Sequence, residues 1–129
     1  MQSFEVSEVI PATPQKIYEA WLDGEKHGLM TGGGATGKPL VGGKFTAWDG
    51  YITGENLELE PNRHIVQAWR TSEFSSEHPH SRLEVLLQEV KAGTRVTLRH
   101  SEIPDGRGES YKQGWTEHYF DPMKRYFSK

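Results

Sequence analysis

Tyr111, Trp115, Tyr119, Met123 and Tyr126 recur every three or four residues near the C-terminus, the spacing that sets side chains on one face of an α-helix. This stripe constrains the fold more than any other feature. A buried ring hides ~150–250 Å² from water, so a helix carrying such a row needs an apolar surface of its own length to lie against. The helix opens at Glu109 or Ser110, after the loop Pro104-Asp-Gly-Arg-Gly108. Pro122, inside it, removes one backbone hydrogen bond and bends the axis.

The preceding residues supply that surface. Residues 3–10 alternate apolar and polar side chains as a half-buried strand does, until Pro11 stops them. Thr13-Pro14 is a helix start, a capping hydroxyl followed by proline at the first helical position. Ile17, Ala20 and Trp21 share one face of that helix, and Asp23-Gly24 closes it and caps a second short helix reaching Met30. Lys44 to Trp48 reads as a strand, Asp49-Gly50 as a two-residue hairpin turn, and Tyr51 as the start of the return strand, where Leu57 and Leu59 alternate with Glu58 and Glu60. Pro61-Asn62 turns the chain into a fourth strand at residues 64–70, and residues 71–80 form a polar loop. Leu83, Val85 and Leu87, then Val96, Leu98 and His100, alternate across a second hairpin turning at Lys91-Ala-Gly93. The order of a strand, short helices, a run of strands and a long helix predicts an α+β fold, with helices on one face of an antiparallel sheet, in a single domain spanning residues 1–129.

Composition narrows the function. The chain has no cysteine, which removes disulfides, thiolate nucleophiles and cysteine-based zinc sites. Its formal charge of -3, from 15 basic and 18 acidic residues, includes no basic block to neutralise a row of phosphates, so nucleic acid is not an expected partner. The start MQSFEVSEVI lacks the pattern of a secretory leader, and no apolar run reaches membrane-spanning length. The expectation is a cytoplasmic protein without membrane insertion.

Gly32-Gly-Gly-Ala-Thr-Gly-Lys-Pro39 satisfies the phosphate-loop spacing at Gly32, Gly37 and Lys38, but Pro39 stands where a magnesium-binding hydroxyl belongs. A phosphate loop leaves a buried parallel strand and enters a helix, whereas here helix precedes and antiparallel strand follows. Residues 31–43 therefore read as a mobile loop, either a connector or a lid near the entrance of a pocket.

Three blocks carry a family resemblance. The run from Gly42 to Arg70, GGKFTAWDGYITGENLELEPNRHIVQAWR, is followed by Gly93-Thr-Arg-Val-Thr-Leu-Arg-His100, and then by Gly114-Trp115, Tyr119-Phe120 and Pro122-Met123. Together they resemble the homologues of the activator of the ninety-kilodalton heat-shock chaperone's ATPase, members of the START-like, birch-pollen-allergen-like superfamily. The resemblance covers nearly the whole chain. It implies a helix-grip, in which a curved antiparallel sheet wraps the long C-terminal helix around a cavity that accepts an apolar ligand in many relatives. It also implies a heat-shock chaperone as a partner, although two-domain eukaryotic members make much of that contact through a separate N-terminal domain that these residues do not contain.

The candidate site residues follow from that frame. Trp115, Tyr119 and Met123 face the sheet, as core packing or as the lining of a ligand cavity. Trp48, Tyr51 and Trp69 carry the same two readings, and Trp69 has a third, packing against the first helix. Trp21, Met30, Phe45 and Leu98 complete the set expected to line such a cavity. His100 shares a face with Val96 and Leu98, as a hydrogen-bonded core histidine or as the one titratable group in the pocket. Glu8 is either a semi-buried carboxylate or an edge position open to water. Glu77, His78 and His80 lie close in sequence, but Pro79 holds them extended without an assured further ligand, so no metal site is expected. There is no nucleophile-elbow sequence, and neither catalytic residues nor a cofactor are expected. The leading expectation is a non-catalytic binding module, monomeric or homodimeric, holding a small hydrophobic or aromatic molecule between sheet and terminal helix. A chaperone-associated stress protein and an enzyme acting on cyclic or polyketide-like substrates are the alternatives.

Overall fold

A computed structural model describes residues 1–129. The chain runs β1 (Gln2–Ile10), α1 (Pro14–Leu22), α2 (Gly24–Thr31), β2 (Lys44–Ala47), β3 (Ile52–Glu60), β4 (His64–Thr71), β5 (Ser81–Val90) and β6 (Gly93–Ile103). It ends in a continuous helical segment made of α3 (Gly108–Trp115), a π-helical turn (Thr116–Phe120) and α4 (Asp121–Phe127). The strands form one curved antiparallel sheet in the order β1-β6-β5-β4-β3-β2, so only β1 must reach a distant neighbour. This is the α+β helix-grip.

Register explains how the sheet builds its inner face. Phe4, His100 and Leu83 lie opposite one another across β1, β6 and β5, and Val6, Leu98, Val85 and Ile65 form the next row across four strands. The alternation read from the sequence in β5 and β6 is therefore the alternation of the fold. In β3 it is interrupted. Asn56 is buried on the parity of Ile52, Leu57 is 40% exposed, and a bulge between Asn56 and Glu58 leaves Leu57 without a partner and reverses the parity beyond it. Leu57 and Leu59 thus do not share the same fate; only Leu59 packs against the core.

The first hairpin also departs from expectation. Ala47 pairs with Ile52, so the loop holds four residues rather than two, and Trp48, Asp49 and Gly50 all adopt positive φ, at 50°, 58° and 89°. The strands accordingly end at Ala47 and resume at Ile52. Both short helices are capped as the sequence implies: Thr13 accepts from the Lys16 amide at 3.3 Å, Asp23 from Lys26 at 3.1 Å, and Gly32 closes α2 in the left-handed conformation.

Pro122 acts further upstream than a simple kink. It has no N–H to offer the His118 carbonyl, and its ring would collide with that carbonyl in regular α geometry. The backbone responds by widening the preceding turn, where the Asp121 amide bonds to the Thr116 carbonyl five residues back. That insertion turns two consecutive rings inward, so Tyr119 and Phe120 are both buried, at 3% and 2% exposure, while Tyr126 is only half-buried.

The Gly-rich segment is anchored by backbone bonds instead of lying free. Thr36 and Thr46 exchange both backbone hydrogen bonds, the Gly24 amide donates to Gly37, and Gly42 and Gly43 bond to Asn56. Its glycines answer to packing, not to phosphate. A Cβ on Gly33 would lie 2.5 Å from the Trp48 ring, and no helix follows the loop to present amides to an anion.

Candidate functional site

Trp115 sits at the centre of an aromatic array formed where the terminal helix meets the sheet. Its ring centroid lies 4.8 Å from Tyr119, 5.5 Å from Trp69, 5.8 Å from His100 and 6.1 Å from Trp21. Trp69 therefore packs on the terminal helix, with Tyr111 a further neighbour at 5.3 Å.

Three hydrogen-bonded chains satisfy the polar atoms buried in this array. The Trp115 indole N–H donates to His100 Nδ1 at 3.1 Å, which leaves the imidazole proton on Nε2, donating to Ser81 Oγ at 2.7 Å. Ser81 in turn donates to the Trp69 carbonyl at 2.9 Å. Burial lowers the His100 pKa to about 3, so the ring is neutral with both nitrogens committed. It is a core histidine. Ser81, with its proton committed to a carbonyl and its side chain sealed in, has no path to a substrate. In the second chain His27 donates from Nδ1 to the Trp21 carbonyl at 2.8 Å and accepts at Nε2 from the Tyr119 hydroxyl at 2.7 Å. Burial lowers the His27 pKa, against a smaller opposing effect of the Trp21 bond, and raises that of Tyr119. The third chain runs from Trp21 Nε1 to Gln67 at 3.2 Å, from Gln67 to Asn56 at 2.8 Å, and from Asn56 Nδ2 to the carbonyls of Lys38 and Leu40. It ties the core directly to the Gly-rich segment.

Such packing leaves little room beneath the helix. The void enclosed by Trp21, His27, Phe45, Trp69, Trp115 and Tyr119 measures about 10 Å³, at the lower limit for a single water. Space opens instead at one end of the sheet–helix junction, in a solvent-accessible groove of about 550 Å³. Trp48 and Tyr51 from the β2–β3 turn, Trp69 from β4, and Tyr111, Trp115 and Tyr119 from the helical segment wall it; Gly114, Glu117 and His118 line its helical side.

Local geometry fixes those walls. The indole of Trp48 lies over the backbone of Gly33 and meets the His118 ring edge-on at 5.3 Å. Its Nε1–H is buried without an acceptor. Tyr51 donates to Glu73, and burial together with that carboxylate pushes its pKa up to about 12. Tyr111 and Thr71 share a hydrogen bond of 2.7 Å, and burial raises the Tyr111 pKa.

Of the residues singled out from the sequence, Trp48, Tyr51, Trp69, Trp115 and Tyr119 come together around the groove. Trp21 and Phe45 border the small void. Met30, Leu98, His100 and Met123 are sealed in the core, at no more than 1% exposure, and line neither space. Glu8 is partly open to water and pairs with Lys124 on α4 at 3.0 Å. Glu77, His78 and His80 belong to no group of three or more side chains able to hold a metal. Phe74, in the supposedly polar loop, is buried against Trp69 and Tyr111. Gly114, Glu117 and His118 escaped sequence reasoning, although their spacing from Ser110 sets them on one helical face beside the stripe. A larger concavity of about 960 Å³ lies elsewhere, bordered mostly by polar residues, and its arginines Arg99 and Arg63 are paired with Glu5 and Glu60. No helix is long and apolar enough to cross a membrane.

Comparisons with known proteins agree with this architecture. A family model described as "Activator of Hsp90 ATPase homolog 1-like protein" matches residues 11–128. The human activator of 90 kDa heat shock protein ATPase homolog 1 is 28% identical over 122 residues, covering 95% of this chain and 36% of the relative. The Dictyostelium discoideum homolog is 27% identical over 98% of this chain and 33% of its own length. The chain thus spans about a third of the length of the curated relatives it matches. The crystal structure of an HSP90 activator from Plasmodium falciparum superposes with a TM-score of 0.87 at 28% identity, covering 99% of this chain and 97% of that one. The solution structure of the Aha1 dimer from Colwellia psychrerythraea, 17% identical with a TM-score of 0.77 over 95% of this chain and 94% of that one, shares the fold.

Proposed function

The chain belongs to the family of Activator of Hsp90 ATPase homolog 1-like proteins, and from that premise we propose that it is a non-catalytic binding module that engages a ninety-kilodalton heat-shock chaperone and raises its ATPase rate. One observation carries this reading: the Plasmodium HSP90 activator superposes over 97% of its solved chain at 28% identity, so the likeness extends over all of the residues compared. The buried histidines point the same way, because His27 and His100 are spent on core hydrogen bonds and offer no acid or base to a substrate. Sedimentation velocity of the purified protein mixed with the chaperone tests the contact. A faster-sedimenting complex is expected; separate boundaries at tens of micromolar of each would remove the reading.

A second reading concerns a small apolar or aromatic ligand, and the end groove favours it. Six rings around about 550 Å³ match the size and lining of small-molecule sites, with Trp48, Tyr51, Trp69, Trp115 and Tyr119 as its contacts. The ligand would lie at the mouth of the sheet–helix junction, since Met123 and Leu98 already fill the interior. Quenching or shift of tryptophan fluorescence on titration with aromatic ligands is the test, and a flat response would count against it.

A further inference from the structure

Gly114 stands inside the terminal helical segment, where glycine is less stable than alanine because it loses more backbone freedom on folding. Most other glycines here have a local reason. Gly54 admits no Cβ because the Ala68 carbonyl would lie 2.0 Å away, Gly33 is overlaid by Trp48, and Gly32 adopts positive φ. Gly114 has none of these: its φ is not in the left-handed range, and the nearest atom to an added Cβ would be His118 Cδ2 at 4.0 Å. What the missing side chain leaves open is the groove.

The chemistry of the lining says what would fill it. Of the six rings that line it, Trp69, Tyr111, Trp115 and Tyr119 are buried, and Trp48 and Tyr51 are the more open ones, whose faces carry the negative part of the ring quadrupole. Glu117 is the one formal charge among the lining residues, and no lysine or arginine joins it. Its Oε1 accepts from Gln113 at 2.9 Å, and no basic group forms an ion pair with it. Rings and carboxylate therefore act in the same direction, attracting positive charge and rejecting anions. Resting on the reading of this groove as a ligand site, we propose that it binds a small organic cation, an ammonium or guanidinium group on a compact apolar body, with the charged head over Trp48 and Tyr51 beside Glu117 and the body above Gly114.

The test compares choline with 3,3-dimethylbutan-1-ol, in which carbon replaces the charged nitrogen at almost unchanged shape. Each is titrated into ¹⁵N-labelled protein while the tryptophan indole N–H signals are followed. Trp48, Trp69 and Trp115 report on the groove, and Trp21, which does not line it, is the internal reference. Choline is expected to shift the Trp48 signal saturably and to bind at least fivefold more tightly than the neutral isostere. Glu117→Gln, which retains an acceptor for Gln113, should remove most of that preference and leave the isostere unaffected. Gly114→Leu should abolish the shifts with both compounds, with an unchanged reference signal and a thermal melt no lower than that of the parent protein showing that the fold persists. Equal or tighter binding of the isostere overturns the cation proposal while leaving an apolar-ligand groove standing. Absence of shifts with either compound removes both.

Discussion

Lowering the pH from 7 to 5 should destabilise this protein through His100. In the unfolded chain the imidazole titrates near its ordinary value of ~6.5. In the fold it titrates at about 3, because burial penalises the charged form. Protonation would also set an imidazolium N–H against the Trp115 N–H that Nδ1 now accepts at 3.1 Å. Between those two values the unfolded state binds more protons, so stability falls as pH falls through the window from about 6.5 towards 3. One proton contributes ~1.4 kcal/mol per pH unit once the unfolded histidine is fully charged, and integration from pH 7 to 5 gives a loss of ~2 kcal/mol. For a domain of this size that is a fall of roughly 7 °C in Tm. His27, also lowered by burial, adds to the same slope. Urea denaturation at pH 7, 6 and 5 measures the effect, with His100→Asn as the comparison. The variant should be less stable at pH 7, by ~2–4 kcal/mol for the two lost hydrogen bonds, and should show a shallower pH dependence. Parallel pH dependences in the two proteins, or an NMR titration of His100 centred near pH 6.5, would refute the reasoning.

Further outcomes follow from particular contacts. Gly114→Ala should raise stability by ~0.5–1 kcal/mol, read from the urea midpoint, because open space receives the methyl group and helix propensity improves. Gly33→Ala should cost ~1–3 kcal/mol and alter tryptophan fluorescence, since its Cβ would meet the Trp48 ring at 2.5 Å. Asn56→Ala leaves Gln67 Nε2 and the Lys38 and Leu40 carbonyls without their partner, so a loss of ~2–4 kcal/mol is expected, with earlier amide exchange or proteolysis in residues 32–43. Leu98→Ala, at a fully buried position, should cost ~2–5 kcal/mol in the same denaturation assay.

The legible parts of this fold were those governed by local periodicity. Val85 and Leu98 alternate with polar neighbours and lie opposite each other in the sheet, and Thr13 and Asp23 cap helices because short polar side chains before a helix have few better uses. What escaped were changes of register caused by one residue acting on another. The bulge at Leu57 reverses the strand's parity, and the Asn56 bonds beside it reach a segment more than a dozen residues earlier, so neither has a signature within the strand itself. Pro122 signalled a disturbance, but only three-dimensional packing shows that the helix widens ahead of it and turns Phe120 inward. The groove was half visible. Its rings stand out in the sequence, whereas Gly114, Glu117 and His118 acquire meaning only once the 48–51 turn is placed against them.

The steady-state ATPase rate of a purified ninety-kilodalton heat-shock chaperone, followed while this protein is added, tests the functional account most directly. A rise is expected that saturates as the chaperone becomes occupied and that disappears when the protein is first unfolded. A rate that stays flat to a large molar excess, with the chaperone responding normally to its own inhibitors, would contradict it.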